Sequence, residues 1–248
     1  MQLNRIQAVV RPRNPWESLD LGFSMVQQWW KPLYKIWFTL MLPLFLTVFV
    51  LFYENILIAT LILWWLKPLY DRILLHFFSR ALFGEQPTIR QTLKILPSLL
   101  FKTRLFWVLS LGRIELARSF NLPVWQLEGL RGPKASQRRR LLRINTRSTA
   151  VWLTIVCIHF EVLLQLSLFV LAYLMLPITE NTDFFYTLFY EEALWIDILS
   201  LLFMFLIISI IEPLYVAAGF ALYLNRRTHL EGWDIELIFR RIATHLAQ

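Results

Sequence analysis

The sequence predicts an all-α polytopic membrane protein with about four transmembrane helices and additional interfacial amphipathic helices. Hydrophobic residues make up 57% of the 248 residues and charged residues only 17%, whereas soluble domains carry about 25% charged residues. Long apolar runs alternate with blocks that hold all 25 Lys and Arg residues, and the formal net charge is +8. An apolar body with a basic surface is typical of integral membrane proteins with cytoplasmic loops.

The first two spans are predicted within residues 36–80, as a helical hairpin. The run from Ile36 to Tyr53 contains no charge in 18 residues, and a helix of that length covers about 27 Å of the ~30 Å hydrocarbon layer. A second span is expected to start near Asn55. We expect Lys67, near its inner end, to extend toward the headgroups as long basic side chains do.

Spans three and four are predicted within residues 149–224, joined by an acidic external loop at 177–193. The apolar runs extend from Thr149 to Leu176 and from Leu194 to Leu224. Both are longer than a bilayer requires, so they must tilt, project into the interface or break. Of the two, the fourth run is the more prone to break, at Pro213, because proline removes a helical donor and crowds the preceding turn. The sequence leaves open whether it does, and a break would place Glu212 at the inner boundary, where it is solvated.

The distribution of basic residues predicts which side each segment occupies. Lys and Arg occur in three blocks, within residues 5–35, 67–147 and 226–241, and are absent from residues 53–55 and 177–193. The positive-inside rule then assigns both termini and a basic segment at 81–148 to the cytoplasm. Within the C-terminal segment, residues 225–248, we expect a short amphipathic cytoplasmic helix. The first span itself is expected to act as the insertion signal.

An amphipathic helix is predicted in the N-terminal cytoplasmic segment, residues 1–35. Asn14-Pro15-Trp16-Glu17 combines an N-cap, a proline at the first helical position and an acid placed for a capping box. Apolar residues then recur at spacings of three and four, up to Trp30. Such a stripe is expected to lie on the inner leaflet, although packing against cytoplasmic protein would produce the same pattern.

A basic cluster immediately before the third span is a candidate contact for anionic lipid. Juxtamembrane basic residues attract such lipids by about 1 kcal/mol each. Nucleic acid is not expected as a partner, because the same charges are needed to set topology and no nucleic-acid motif accompanies them. The cluster consists of Arg131, Lys134, Arg138, Arg139, Arg140, Arg143 and Arg147.

The sequence offers no recognisable catalytic, metal-binding or cofactor-binding motif. The four histidines do not form a metal-ligand pair, and no Gly-rich phosphate loop is present. Cys157 is the single cysteine, and within an apolar helix it is expected to be a small buried residue rather than a nucleophile. We therefore expect a protein that is not an enzyme and that binds no cofactor or metal.

A polar site within the membrane is predicted from Glu161, Gln165 and Glu212. If their helices are straight, both glutamates lie about 16 to 18 Å from the cytoplasmic ends, where an ionised side chain costs at least ~2.5 kcal/mol. The sequence suggests no Lys or Arg within the membrane to neutralise them. Two interpretations follow: a protonated contact between helices, or a site that couples transport to protons.

The two ends of the chain resemble a bacterial multi-pass family. The segment from Glu212-Pro213-Leu214-Tyr215 through Arg226-Arg227 to Glu231-Gly232-Trp233-Asp234 is similar to the closing signature of inner-membrane proteins related to the membrane domain of glycerophosphodiester phosphodiesterases. The N-terminal Asn14-Pro15-Trp16-Glu17 also fits. The resemblance implies a bacterial inner-membrane protein of undefined activity, some of whose relatives are encoded beside a MoxR-type ATPase. No phosphodiesterase domain is present, so that activity does not carry over.

Three classes of function are compatible with these features. The favoured class is a scaffold or assembly factor that binds anionic lipid and a protein partner through its basic cytoplasmic face. The resemblance names a MoxR-type ATPase system as the candidate source of that partner. The alternative is a transporter of small molecules or lipids that uses Glu161 and Glu212. A membrane enzyme acting on lipid head groups is the third class, although no catalytic constellation is visible for it.

Overall fold

The structure is a computed structural model that describes residues 11–101, 115–175 and 194–232, with side chains up to residue 99 in the first range. The described residues form helices and no strands, which confirms the predicted all-α class. The helices are α1 (Pro15–Gln28), α2 (Trp30–Leu51), α3 (Ile56–Trp65), α4 (Lys67–Ala81), α5 (Ile89–Phe101), α6 (Arg118–Gln126), α7 (Gly132–Arg143), α8 (Arg147–Met175) and α9 (Leu194–Glu231).

Three of these helices, α2, α8 and α9, are long and apolar enough to cross a membrane, so the chain is a membrane protein. Their exposed side chains are apolar over long stretches, as expected for surfaces that face lipid. Trp30, Trp64, Trp65 and Trp152 are all about half exposed, and so is Trp195 at the start of α9. Tryptophan favours both interfaces of a bilayer.

The predicted second span is replaced by two separate helices. α3 has ten residues, which is about 15 Å or half of the hydrocarbon thickness. The chain then turns at Leu66 and α4 begins at Lys67. Almost every side chain of α4 is buried, including Asp71 and Arg72, so α4 packs within the protein. Lys67 is buried as well and does not extend toward headgroups.

The fourth apolar run does not break at Pro213. α9 is one helix of 38 residues that continues past Leu224 to Glu231, so it also covers the start of the segment predicted as a separate C-terminal helix. Proline is tolerated in a membrane helix when neighbouring helices and hydroxyl groups satisfy the local polar groups. One turn earlier, Ser209 Oγ donates to the Phe205 carbonyl and accepts from Trp37 Nε1, at 2.8 and 2.9 Å.

The core lies around the C-terminal half of α9. From Ile211 to Asn225 only Leu214 is not fully buried, because α1, α4, α6 and α8 pack around this half. Small residues make the close approaches possible: a Cβ added to Gly22 of α1 would lie 2.4 Å from the Cα of Ala218 in α9. Gly219 approaches Ser119 of α6 equally closely. The N-terminal half of α9 packs with α2, α3 and α8 in the apolar part of the bundle.

The N-terminal helix begins as predicted but packs differently. Asn14 caps α1, with its side-chain oxygen accepting from the Trp16 amide at 3.2 Å. The buried face of α1 packs against α9, whereas Trp16, Phe23 and Trp30 are exposed. Trp16 and Phe23 are seven residues apart and therefore share one side of α1, and Trp30 follows as the first residue of α2. The face of α1 that packs against α9 is therefore different from the face that carries the exposed aromatic residues.

Two predicted segments lie largely outside the described residues. The external loop predicted at 177–193 falls in the range 176–193, and the C-terminal segment predicted at 225–248 is described only as far as residue 232. Within the basic segment predicted at 81–148, the described residues are 81–101 and 115–148.

Candidate functional site

A cluster of buried charged side chains lies where the apolar part of the bundle meets the core around α9. Lys67, the first residue of α4, has its Nζ 2.6 Å from each carboxylate oxygen of Glu161 in α8. The same Nζ is 3.6 Å from Glu212 Oε2 in α9. Lys67 therefore connects the two glutamates that the sequence singled out.

Arg118 provides the second cation of the cluster. Its Nε is 2.6 Å from Asp71 Oδ2, one turn after Lys67 in α4, and its Nη2 is 3.5 Å from Glu212 Oε1. Its guanidinium also lies over the ring of Tyr215, 5.7 Å from the centroid. Glu212 is thus placed between Lys67 and Arg118, and four helices contribute to one ionic network.

Local sequence explains how each helix presents its charge. Lys67 and Asp71 are four residues apart on α4 and therefore lie on the same face. Arg118 is the first residue of α6, and Glu212 precedes Pro213 in the fully buried part of α9. Because α4, α6 and α8 converge on α9, these side chains meet although they are distant in sequence.

Deep burial makes the charge balance of this cluster important. Asp71 and Glu212 have side-chain exposures of 0% and 2%, and Lys67 has 8%. Glu161 is the most accessible member, at 22%. With every group ionised, three carboxylates face two cations, so the cluster has a formal charge of −1. Buried carboxylates normally require pairing, and removing one partner of such a pair is costly.

A cavity of about 300 Å³ opens beside the cluster. Charged and polar groups line one part of it, and apolar side chains of α3 and α8 line another. Four of the apolar or aromatic lining residues are about half exposed, so they form its rim. The lining consists of Trp64, Lys67, Glu115, Leu116, Arg118, Thr154, Cys157, Ile158, Glu161, Val162, Glu212 and Tyr215.

The structure brings together two of the three predicted polar residues. Glu161 and Glu212 both contact Lys67, whereas Gln165 lies one turn farther along α8. Its side-chain amide donates to the Ser200 carbonyl at 3.2 Å and forms a separate link between α8 and α9. The expectation that no Lys or Arg would reach these glutamates is wrong, because two cations do.

Sequence reasoning missed Lys67, Asp71 and Arg118 as members of the site. Lys67 resembles a boundary residue because it follows Trp64-Trp65, and Arg118 lies in a segment with no apolar periodicity. A signal was nevertheless present, since Lys67 and Asp71 share a helical spacing and interrupt an otherwise apolar stretch. Only a folded arrangement identifies their partners.

The basic cluster divides into an internal and an external group. Arg138 contacts Glu128 at 2.9 Å and also pairs with Glu231, and both Arg139 and Arg143 pair with Glu115. Hydrogen bonding to the Glu128 carboxylate, despite partial desolvation, raises the pKa of Arg138 above its usual value. These three arginines attach α7 to the rest of the protein.

The remaining four basic residues of the cluster, Arg131, Lys134, Arg140 and Arg147, are exposed. Leu141 and Ile144 are exposed beside them, at about half of their surface. We call this set the outer face of α7. Lys134, Arg140 and Leu141 belong to the helix itself, whereas Arg131 and Ile144 flank it and Arg147 begins α8. The set mixes basic and apolar side chains a few residues before Trp152, on the apolar surface of α8.

The described residues contain no group of three or more His, Cys, Asp or Glu side chains arranged to hold a metal ion. Among the histidines, His76 is buried in α4, and burial, assisted by nearby Arg80, lowers its pKa to about 4. Comparison of the chain with protein-family models, with curated proteins and with solved structures finds no match. Function must therefore be argued from the geometry itself.

Proposed function

We propose that this chain is a non-enzymatic scaffold or assembly factor of the bacterial inner membrane. In this proposal both termini are cytoplasmic, and the basic cytoplasmic face holds anionic lipid and a protein partner. The observation that carries the proposal is the division of α7 into two faces. One face is fixed by ion pairs to Glu115, Glu128 and Glu231, and the opposite face presents unburied basic and apolar side chains.

An ordered helix with such an outer face is suited to the surface of a membrane. Basic side chains attract anionic headgroups, while apolar side chains can enter the boundary between headgroups and acyl chains. Leu141 and Ile144 are available for the second interaction. The exposed aromatic residues Trp16 and Phe23 of α1, together with Trp30 at the start of α2, supply a second surface of this kind.

The arrangement of the helices supports cytoplasmic termini. α2 and α3 form a hairpin, so the chain returns to the side of the membrane from which α2 began. This holds whether or not the turn between the two helices reaches the other surface of the membrane. α8 and α9 then form a second pair. The positive-inside rule assigns the basic side of both pairs to the cytoplasm. A partner from a MoxR-type ATPase system is proposed only on the resemblance of the chain termini.

The lipid part of the proposal can be tested on the full-length protein in detergent. A variant with Lys134, Arg140 and Arg147 replaced by Gln loses three exposed charges. We expect it to retain fewer phosphatidylglycerol molecules in native mass spectrometry than the wild type. The wild-type interaction should weaken as salt is raised, because screening shortens the reach of surface charges.

The matched control carries the same change in net charge elsewhere. Arg80, Arg90 and Lys94, which are exposed on α4 and α5, are replaced by Gln. This control should retain phosphatidylglycerol as the wild type does. An equal loss in both variants would mean that net charge alone attracts the lipid and would contradict a specific outer face.

The partner part requires a measurement in cells. A photo-crosslinking residue at Gln137, exposed on α7, should give one protein adduct of constant size, and the Lys134, Arg140 and Arg147 replacements should reduce it. Absence of a protein adduct would contradict a partner at this face.

Transport is the second candidate, and the cavity beside Glu161 and Glu212 favours it. A transport site must load and release its ion or substrate, and an excess carboxylate beside a cavity meets the first requirement. Purified protein in liposomes decides between the candidates. Proton flux that Glu161→Gln abolishes in a folded protein would overturn the scaffold proposal, and absence of flux is expected if the cluster is structural.

A further inference from the structure

The cavity beside the ion-pair cluster combines an acidic interior with an apolar rim. Trp64, Ile158 and Val162 belong to the surface of α3 and α8 and are about half exposed at the rim. Because α8 is one of the candidate membrane helices, an opening between these residues faces lipid. Trp64 lines the opening, and Trp65 is its neighbour in the chain. Tryptophan is typical of the headgroup region of a bilayer.

The charges inside the cavity favour a cation over an anion. Each of the two basic lining residues, Lys67 and Arg118, already has two carboxylate groups within 4 Å. An anionic ligand would have to compete with these buried carboxylates. Glu161 is also paired, with both carboxylate oxygens 2.6 Å from Lys67 Nζ, but it is the most accessible charged group of the cluster. A carboxylate has about four acceptor positions, so Glu161 can accept from a second ammonium while it keeps Lys67. The cluster contains three carboxylates and two cations, so a further cation improves its charge balance.

The size of the cavity indicates how much of a ligand it could enclose. Pockets for small molecules usually measure ~300 to 1,000 Å³, and this cavity, at about 300 Å³, lies at the lower limit. A head group fits such a volume, whereas a complete lipid does not. Hydrocarbon chains would find apolar contact outside the rim, along Ile158 and Val162.

We propose that this cavity binds the head group of a lipid-like amphiphile that carries a primary ammonium. The ammonium contacts the Glu161 carboxylate, and the acyl chains lie along the exposed surfaces of α3 and α8. Phosphatidylethanolamine has this chemistry, as do long-chain amines. This inference goes beyond the scaffold proposal, since it concerns a different surface from the outer face of α7 and requires only that the protein lies in a membrane.

Cys157 makes the proposal directly testable, because it lines the cavity and is the single cysteine of the chain. Full-length protein is placed in phosphatidylcholine vesicles with or without phosphatidylethanolamine, and labelling by a neutral, membrane-permeant thiol reagent is followed. Labelling follows the unoccupied fraction of the site, so occupancy of about 90% should slow it about tenfold. Phosphatidylglycerol in place of phosphatidylethanolamine should give no protection.

Two variants link the protection to the cavity. Glu161→Gln removes the carboxylate but leaves the Lys67–Glu212 contact, so we expect a folded protein in which phosphatidylethanolamine no longer slows labelling. Ile158→Trp narrows the rim without changing a charge. In this variant too, Cys157 should be labelled at nearly the same rate with and without phosphatidylethanolamine. Folding of both variants is checked by circular dichroism and gel filtration.

A control removes general effects of lipid composition on labelling. In the C157S/S167C variant the cysteine lies on the exposed surface of α8, away from the cavity lining, so its labelling should not depend on phosphatidylethanolamine. Water-soluble phosphoethanolamine should not protect Cys157 at the same concentration, because it lacks acyl chains. Protection by it would overturn the requirement for an amphiphile.

Three results would refute the inference. Equal labelling of Cys157 in all vesicles would exclude a head-group site, and protection by phosphatidylglycerol would indicate an anion at Lys67 and Arg118. Protection that persists in Glu161→Gln would remove the assigned contact. None of these outcomes alters lipid retention at the outer face of α7, so failure of this inference and failure of the scaffold proposal are distinguishable.

Discussion

Replacing Lys67 with Met tests whether the buried cluster stabilises the protein. The change removes the cation that contacts both Glu161 and Glu212 and leaves three carboxylates facing Arg118. Removing one partner of a buried ion pair costs about 3 to 5 kcal/mol. We expect a loss of about 3 kcal/mol, at the lower end, because Glu161 is partly accessible and Glu212 keeps its contact with Arg118.

A second replacement should recover part of this loss. In the double variant Lys67→Met/Glu161→Gln, one positive and one negative charge disappear together, so the formal charge of the cluster returns to that of the wild type. Directly interacting residues usually have coupling energies of about 0.5 to 3 kcal/mol. The double variant should therefore be more stable than Lys67→Met alone, even though it carries an additional change.

Single replacements of Glu161 complete the cycle. Glu161→Gln retains the size and hydrogen-bonding capacity of the side chain and should have little effect on folding. Glu161→Leu should cost about 0.6 to 2 kcal/mol, the range for interhelical hydrogen bonds in membranes. Free energies of unfolding are obtained from titration with denaturing detergent, followed by circular dichroism. A Lys67→Met protein as stable as the wild type would refute the reasoning.

Three further predictions concern packing, hydrogen bonding and pH. Gly22→Ala should destabilise the protein by about 1 to 3 kcal/mol in the same titration, because the new methyl group meets the backbone at Ala218. Trp37→Phe should cost about 1 to 2 kcal/mol through loss of the buried bond to Ser209. For His76, the folded protein binds fewer protons than the unfolded chain between its lowered pKa of about 4 and the ordinary value of 6.5. Stability should therefore fall as pH is lowered through this window, and His76→Gln should reduce that dependence in a series of melts.

The first two of these predictions have a control on an exposed position. Ser24 lies on the outer side of α1, and Trp65 is half exposed in α3. Ser24→Ala and Trp65→Phe should change stability by less than about 0.5 kcal/mol, as is usual at exposed positions. Equal effects at exposed and buried positions would contradict the packing of these helices.

Local features of the sequence predicted the helices well where packing did not compete. The cap at Asn14 and the uncharged run after Ile36 both lead to helices in the structure. A helix cap depends only on neighbouring residues, and the transfer of an apolar segment into lipid depends on the composition of that segment. Both features can therefore be predicted without the tertiary structure. Local features left the effect of Pro213 open. Proline by itself favours a break, but the helices packed around α9 keep it continuous.

The sequence by itself determined that this protein is helical, that it lies in a membrane and that its basic residues are segregated from the apolar runs. The tertiary structure alone decided that Lys67 and Arg118 meet Asp71, Glu161 and Glu212. Hydropathy assigns each residue a separate transfer cost, so it treats these five charges as independent penalties. Their actual cost depends on mutual neutralisation over a few ångströms, and those distances exist only when α4, α6, α8 and α9 have packed together.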